Sequence, residues 1–242
     1  MIRIDEIEYV YDSHEWDDLN EVCETDLQNW EPISRRFFRS LAKTAQVVVD
    51  VGAYTGIYSI ESSLSNQNCK VISIEPNPIV ARVLESNIEI NQIKNVDIFK
   101  FALGSSEGEQ KLYITAKPFG SSMSSLIPSV DLEMQFNVQV NTINNICRHT
   151  KVDLIKIDVE GFEKDILEGS KDILLRDRPV ILTEALTSEN LLEQTRFMSS
   201  VNYSPPINAG HSSGDQRNYF WFATESNESY KSKFRSGGDE RI

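Results

Sequence analysis

The stretch VVVDVGAYTG, residues 47–56, constrains this chain more than any other. Its valines favour a buried strand, its glycines a sharp turn, and the IYSIE that follows reads as the start of a helix. A strand that turns through glycine into a helix opens a βαβ unit, the building block of mainly parallel sheets. Gly52 and Gly56 allow close backbone approach, and the helix behind them offers its positive end to an anion. The dinucleotide pattern G-x-G-x-x-G nevertheless fails, because Gly52 is followed by Ala53, Tyr54, Thr55 and Gly56.

The same theme recurs along the chain. Residues 70–75 (KVISIE) read as a second strand, which Pro76, Asn77 and Pro78 stop before a helix over 79–91. That helix carries an apolar stripe at Ile79, Val80, Val83, Leu84, Ile88 and Ile90. A third strand is expected over 96–103, short strands at 111–115 and 136–140 around a serine-rich loop at 120–125, and further strands at 152–159, 179–184 and 218–223. Helices are expected from Gly161 to about residue 168 and over 191–199. The fold class is therefore α/β, a Rossmann-like three-layer sandwich on a mostly parallel sheet, whose ligands bind at the carboxyl ends of the strands.

Asp50 discriminates among ligands for the first turn. A pyrophosphate gains nothing from a carboxylate there, whereas S-adenosylmethionine brings ammonium and sulfonium groups, and its own carboxylate could lie against the N–H groups of residues 52–56. Glu75 ends the next strand, where an acid can accept hydrogen bonds from both ribose hydroxyls. The plainer alternatives are a helix-capping role for Asp50 and a first-turn acid for Glu75.

The motifs DVGAYTGIYS, SIEPNP, FALGSSEG, SSMSSL, IKIDVEGFE and RPVILTE, in that order over residues 47–184, resemble the FkbM family of S-adenosylmethionine-dependent methyltransferases. The resemblance implies a seven-stranded sheet whose last strand, 218–223, runs antiparallel. It also implies O-methylation of a sugar, glycan or hydroxylated natural product. Carried over residue by residue, it puts Asp50, Gly52, Ala53, Tyr54, Thr55 and Gly56 in the cofactor loop, with Glu75, Pro76 and Asn77 at the ribose. Phe101 and Ala102 fall where adenine is held, and Asp158 and Glu160 at the acidic strand end facing methionine and acceptor. Family members commonly have Asn where this chain has Tyr54.

Apart from any family, Asp158, Glu160 and Glu163 crowd one strand exit and Glu184 ends the next. Such carboxylates raise one another's pKa, and could orient an acceptor hydroxyl, take its proton or share a divalent metal. No metal is assigned from the sequence. Glu163 reads more plainly as a first-turn helix acid. Of the three histidines, His14 and His149 lie away from the strand exits, whereas His211 enters the last strand on the same side. Glu160, Glu184 and His211 are the candidate catalytic groups. Lys156 shares a face with Asp158 two residues on. That Lys–Asp pair is similar to one in RNA ribose methyltransferases.

Charge argues against that substrate: 24 basic against 37 acidic residues leave −13, and no basic track offsets it. Eleven of the acids fall in residues 1–31, beside Arg3 alone. We expect residues 1–45 to form an acidic, partly helical lead-in, 46–225 the catalytic domain, and 226–242 a polar, flexible tail. Residues 1–10, with no basic start before an apolar core, do not read as a secretory signal, no apolar run approaches membrane-spanning length, and the three scattered cysteines suit reduced thiols. A cytoplasmic enzyme with a small-molecule or glycan acceptor, no nucleic-acid or membrane partner and no readable oligomeric state is expected. A non-catalytic nucleoside-binding scaffold and an NAD-dependent oxidoreductase are the alternatives, the second weakened by the failed glycine pattern.

Overall fold

The computed structural model describes residues 2–4, 6–11, 30–115, 124–126, 132–210 and 217–238. A hairpin of β1 (Ile2–Ile4) and β2 (Ile7–Tyr9) precedes α1 (Pro32–Ala42), which Pro32 opens at the first helical position. Then come β3 (Val47–Val51), α2 (Ile57–Ser65), β4 (Lys70–Ile74), α3 (Pro78–Ile90) and β5 (Val96–Phe99). The chain next forms β6 (Ala102–Leu103), β7 (Gly108–Thr115), β8 (Ser124–Ser125), β9 (Leu132–Asn141) and the single turn α4 (Ile143–Ile146). It returns through β10 (Leu154–Ile157), α5 (Glu163–Glu168), α6 (Lys171–Asp177), β11 (Val180–Ala185) and α7 (Ser188–Ser200). It ends in β12 (Ile207–Asn208), β13 (Arg217–Trp221) and α8 (Asn227–Gly238).

Among the described residues the central sheet has seven strands in the order β12-β13-β11-β10-β3-β4-β5, with β13 antiparallel to β11. The expected last strand is thus confirmed. Alternation along the strands splits the core in two. Val49, Val51, Ile155, Ile157 and Ile181 meet Ile166, Leu167, Ile173, Leu174 and Met198 from α5, α6 and α7. Val48, Leu154, Leu182 and Phe220 face the other way, toward Phe37 and Phe38 of α1 and Tyr58 of α2. Helices on both faces make the sandwich three-layered. The order of strands reverses between β3 and β10, and such a switch point opens a ligand crevice at the strand ends.

Two expectations are corrected. The strand expected over 96–103 is broken at Lys100 and Phe101, and β6 leaves the central sheet for a second one in the order β6-β9-β7-β8. The tail expected to stay loose from residue 226 instead forms α8, because Tyr230 and Phe234, four residues apart, share one face. Phe234 lies 4.8 Å from Phe37 edge to face, and Tyr230 stacks 5.1 Å from Phe222. No described helix is long and apolar enough to cross a membrane.

Candidate functional site

The loop after β3 is held by its own backbone. The N–H groups of Gly52 and Ala53 both donate to the carbonyl of Ile74, and that of Gly56 to Ala53. They are not donors left over for a ligand carboxylate, contrary to the sequence reading. The helix α2 follows directly, starting at Gly56 with no side-chain cap. Gly52 has φ +69°, and a Cβ there would collide with the carbonyl oxygen of Asp158. The turn therefore presses on the exit of β10, and only glycine fits.

Glu75 stands at the end of β4 with both oxygens seated: Tyr54 N–H donates to one at 3.0 Å and Asn77 N–H to the other at 2.8 Å. Burial pushes its carboxyl up to about 7, against the lowering effect of those two N–H groups. Tyr54 holds its N–H in place from the left-handed region, at φ 51°. Asparagine tolerates that conformation better than most residues, and tyrosine adopts it here. Asn77 caps α3 by accepting from Ile79 N–H at 3.0 Å, and its buried side chain is spent on that role.

Asp50 is fully buried, and its neighbours differ from those expected. Register sets Lys156 of β10 directly beside it, and the Lys156 ammonium lies 3.8 Å from Asp50, 3.2 Å from Asp158 and 3.2 Å from the Gly52 carbonyl. The cation opposite Asp50 is thus a lysine of this chain. Ser59 also donates to Asp50 at 2.6 Å. Burial raises the Asp50 carboxyl pKa, with Lys156 and Ser59 opposing. Burial alone would lower that of Lys156, but Asp158 and Asp50 hold it well above the usual lysine range. An ammonium so held is a counter-ion and no base. Its other face lies 5.0 Å over the ring of Tyr58, whose hydroxyl donates to buried Glu31 at 2.6 Å. Nothing in the sequence sets Glu31 apart from the ten other acids around it.

Beyond this layer the acids converge. Asp158, Glu160 and Glu184 bring one carboxylate oxygen each within 4.8 Å of one another. Glu163 is buried beneath them and accepts from the N–H groups of Val159 at 3.2 Å and Gly161 at 3.1 Å, the helix-start role read for it; burial lifts it to about 7. Glu184 is pushed up to about 10 by burial first, then by Asp158, Glu160 and Glu163. Its strand end is fixed by Gln194, which donates to the Glu184 carbonyl at 2.8 Å and accepts from Thr183, itself bonded to Trp221.

The remaining candidates divide. Phe101 is half-buried at the mouth beside exposed Phe99, ring centres 5.3 Å apart, and Phe99 escaped the sequence reading. Ala102 turns into the small second core with Leu112, Val138 and Val140, and Ala53 packs on Ile57 and Leu84; neither side chain faces the crevice. Thr55 is buried, its hydroxyl against Tyr11 and its carbonyl accepting from Asn87. Pro76 is half-buried between Glu75 and Asn77. His14 and His211 lie outside the described residues, as does most of the loop at 120–125.

A seven-stranded sheet in this order, with one antiparallel strand and an acidic switch point, defines the Rossmann-like class I methyltransferase architecture. Comparison with known proteins narrows the class. The chain belongs to the FkbM methyltransferase family, whose domain "Methyltransferase FkbM domain" matches residues 50–233. It is 23% identical over 189 residues to "Methyltransferase 1" of Beauveria bassiana, covering 66% of this chain and 76% of that one. It is 32% identical over 182 residues to "Cobalt-precorrin-6B C(15)-methyltransferase (decarboxylating)" of Salmonella typhimurium, covering 66% and 91%. Among solved structures it is similar to methyltransferase FkbM from Methylobacillus flagellatus KT, with TM-score 0.56 and 20% identity over 74% of this chain. The match spans only 43% of that solved chain.

Proposed function

We propose that this protein is an S-adenosylmethionine-dependent O-methyltransferase acting on a hydroxyl of a sugar, glycan or hydroxylated natural product. The observation that carries the reading is Glu75, a carboxylate seated by two N–H groups at the end of β4, one strand from a glycine turn pressed on the acidic exit of β10. When bound, the cofactor supplies an electrophilic methyl group on a positively charged sulfur. Glu75 would accept from the ribose hydroxyls, Phe99 and Phe101 would flank the adenine, and the first turn of α2 would face the methionine carboxylate. Asp158, already drawn toward Lys156, would face the methionine ammonium. Glu160 would orient the acceptor hydroxyl and take its proton as the oxygen attacks the methyl carbon. Positioning is the larger lever in such a displacement, a base adding about 10² to 10⁴-fold.

Calorimetry with S-adenosylmethionine and S-adenosylhomocysteine tests the cofactor, and transfer of a labelled methyl group to a panel of sugars and polyhydroxylated compounds tests the acceptor. Glu75→Ala should weaken binding by about 1–3 kcal/mol, the range for hydrogen bonds to a charged group. Folded protein that binds neither compound would overturn the proposal.

A further inference from the structure

We propose that Asp158, Glu160 and Glu184 hold a divalent cation, and that this ion presents the acceptor's oxygens to the methyl donor in the reaction proposed above. Three oxygens from two adjacent strand exits lie within 4.8 Å of one another. Hard, anionic oxygen donors are the ligand type of Mg²⁺, Mn²⁺ and Ca²⁺. With metal–oxygen distances of about 2.0–2.6 Å, opposed ligands stand roughly 4–5 Å apart, the span of this cluster.

The second observation is independent of that spacing. Glu184 is only 5% exposed, yet its Oε2 has no hydrogen-bond partner among the described residues. Nearby buried glutamates are provided for: Glu75 and Glu163 each accept two backbone N–H groups. Lys156 does not reach across either, because its ammonium is placed between Asp50, Asp158 and the Gly52 carbonyl. A buried carboxyl oxygen without a partner, beside two further acids and on a strand end locked by Gln194, carries its charge only when a cation completes it.

Three protein oxygens leave about three positions of a six-coordinate ion for water or substrate. Two adjacent positions suit an acceptor with neighbouring oxygens, such as a vicinal diol or a hydroxy acid. The ion thereby narrows the acceptor class.

The test is a Mn²⁺ titration of the EDTA-treated full chain, with free Mn²⁺ read by electron paramagnetic resonance. The site predicts one ion per chain with a dissociation constant in the micromolar range. Glu184→Gln and Glu160→Gln should each weaken it tenfold or more; circular dichroism confirms their folding, and the half-exposed Glu160 serves should the buried substitution unfold the protein. Absence of binding below about 1 mM by folded wild type, or unchanged affinity in a folded variant, overturns the cation site. Calorimetry with S-adenosylhomocysteine in EDTA separates the two proposals. Binding there without Mn²⁺ binding sinks the cation site alone, whereas Mn²⁺ binding by a protein that ignores the nucleoside sinks the cofactor reading and leaves the ion in place.

Discussion

The ribose contact proposed for Glu75 has a pH signature that can be worked out in advance. Burial pushes its carboxyl up to about 7, and only the carboxylate accepts from both ribose hydroxyls without giving up an oxygen to a proton. If the charged form alone binds, the apparent dissociation constant scales with one plus the ratio of protonated to ionised Glu75. That factor is about 11 at pH 6 and about 1.1 at pH 8, so affinity should rise roughly tenfold between them. The ligand to use is 5′-methylthioadenosine, which keeps the ribose and adenine but lacks the α-amino group, whose own titration near pH ~7.7–8.0 would confuse the result. Calorimetry at pH 6, 7 and 8 should show the rise in wild type and a flat profile in Glu75→Gln. Stability should move in the opposite direction. A glutamate raised from 4.5 to about 7 contributes stability that is full below pH 4.5 and lost as pH rises through 7. At about 1.4 kcal/mol per unit the loss is on the order of 3 kcal/mol. Glu163 and Glu184 are raised as well, so Glu75→Gln should reduce the slope in urea melts without abolishing it. Affinity that stays level from pH 6 to 8 in folded wild type would refute the assignment of Glu75 to the ribose.

Gly52→Ala should destabilise the protein by more than about 3 kcal/mol or prevent folding, because the new Cβ meets the Asp158 carbonyl and the backbone is left-handed there; a melting temperature within a few degrees of wild type would contradict it. Phe234→Ala should destabilise the protein by less than the roughly 3–5 kcal/mol of a fully buried Phe, because the partly buried ring packs on Phe37 and Phe220. Limited proteolysis should then cut within α8 while the central sheet survives, and an unchanged digestion pattern would show that the helix is not held by that ring.

Strands were the most legible part of the chain, since runs such as VVVDV and PVILTE are buried on both faces and have few other uses. The second sheet was only half legible. Its strands show in the sequence, but which sheet a strand joins depends on pairings such as Gly108 with Val140, made across residues whose order along the chain says nothing of it. The α8 helix escaped because two aromatic rings carry its docking and the rest of it is polar. At the candidate site, position along a strand sufficed to expect Asp158, Glu160 and Glu184 near one another, because side chains at a parallel strand's carboxyl end converge whatever lies between them in sequence.

Asp50 shows the limit of that reasoning. Its place at the strand end was read correctly, and its partner was not: the inference assumed that a carboxylate at a ligand crevice is balanced by the ligand. Parallel pairing of β3 with β10 puts Lys156 beside Asp50, and with an ammonium of this chain so near, the buried charge already has its counter-ion. The carboxylate without a counter-ion lies two strands along the sheet, at Glu184, whose register neighbour on β13 is the uncharged Asn218 and whose Oε2 has no hydrogen-bond partner among the described residues. The demand for an external cation therefore moves from the turn after β3 to the strand end of β11, where the cation site is proposed. A charge at a strand end says where a ligand goes, but only the residue paired beside it says what charge that ligand must bring.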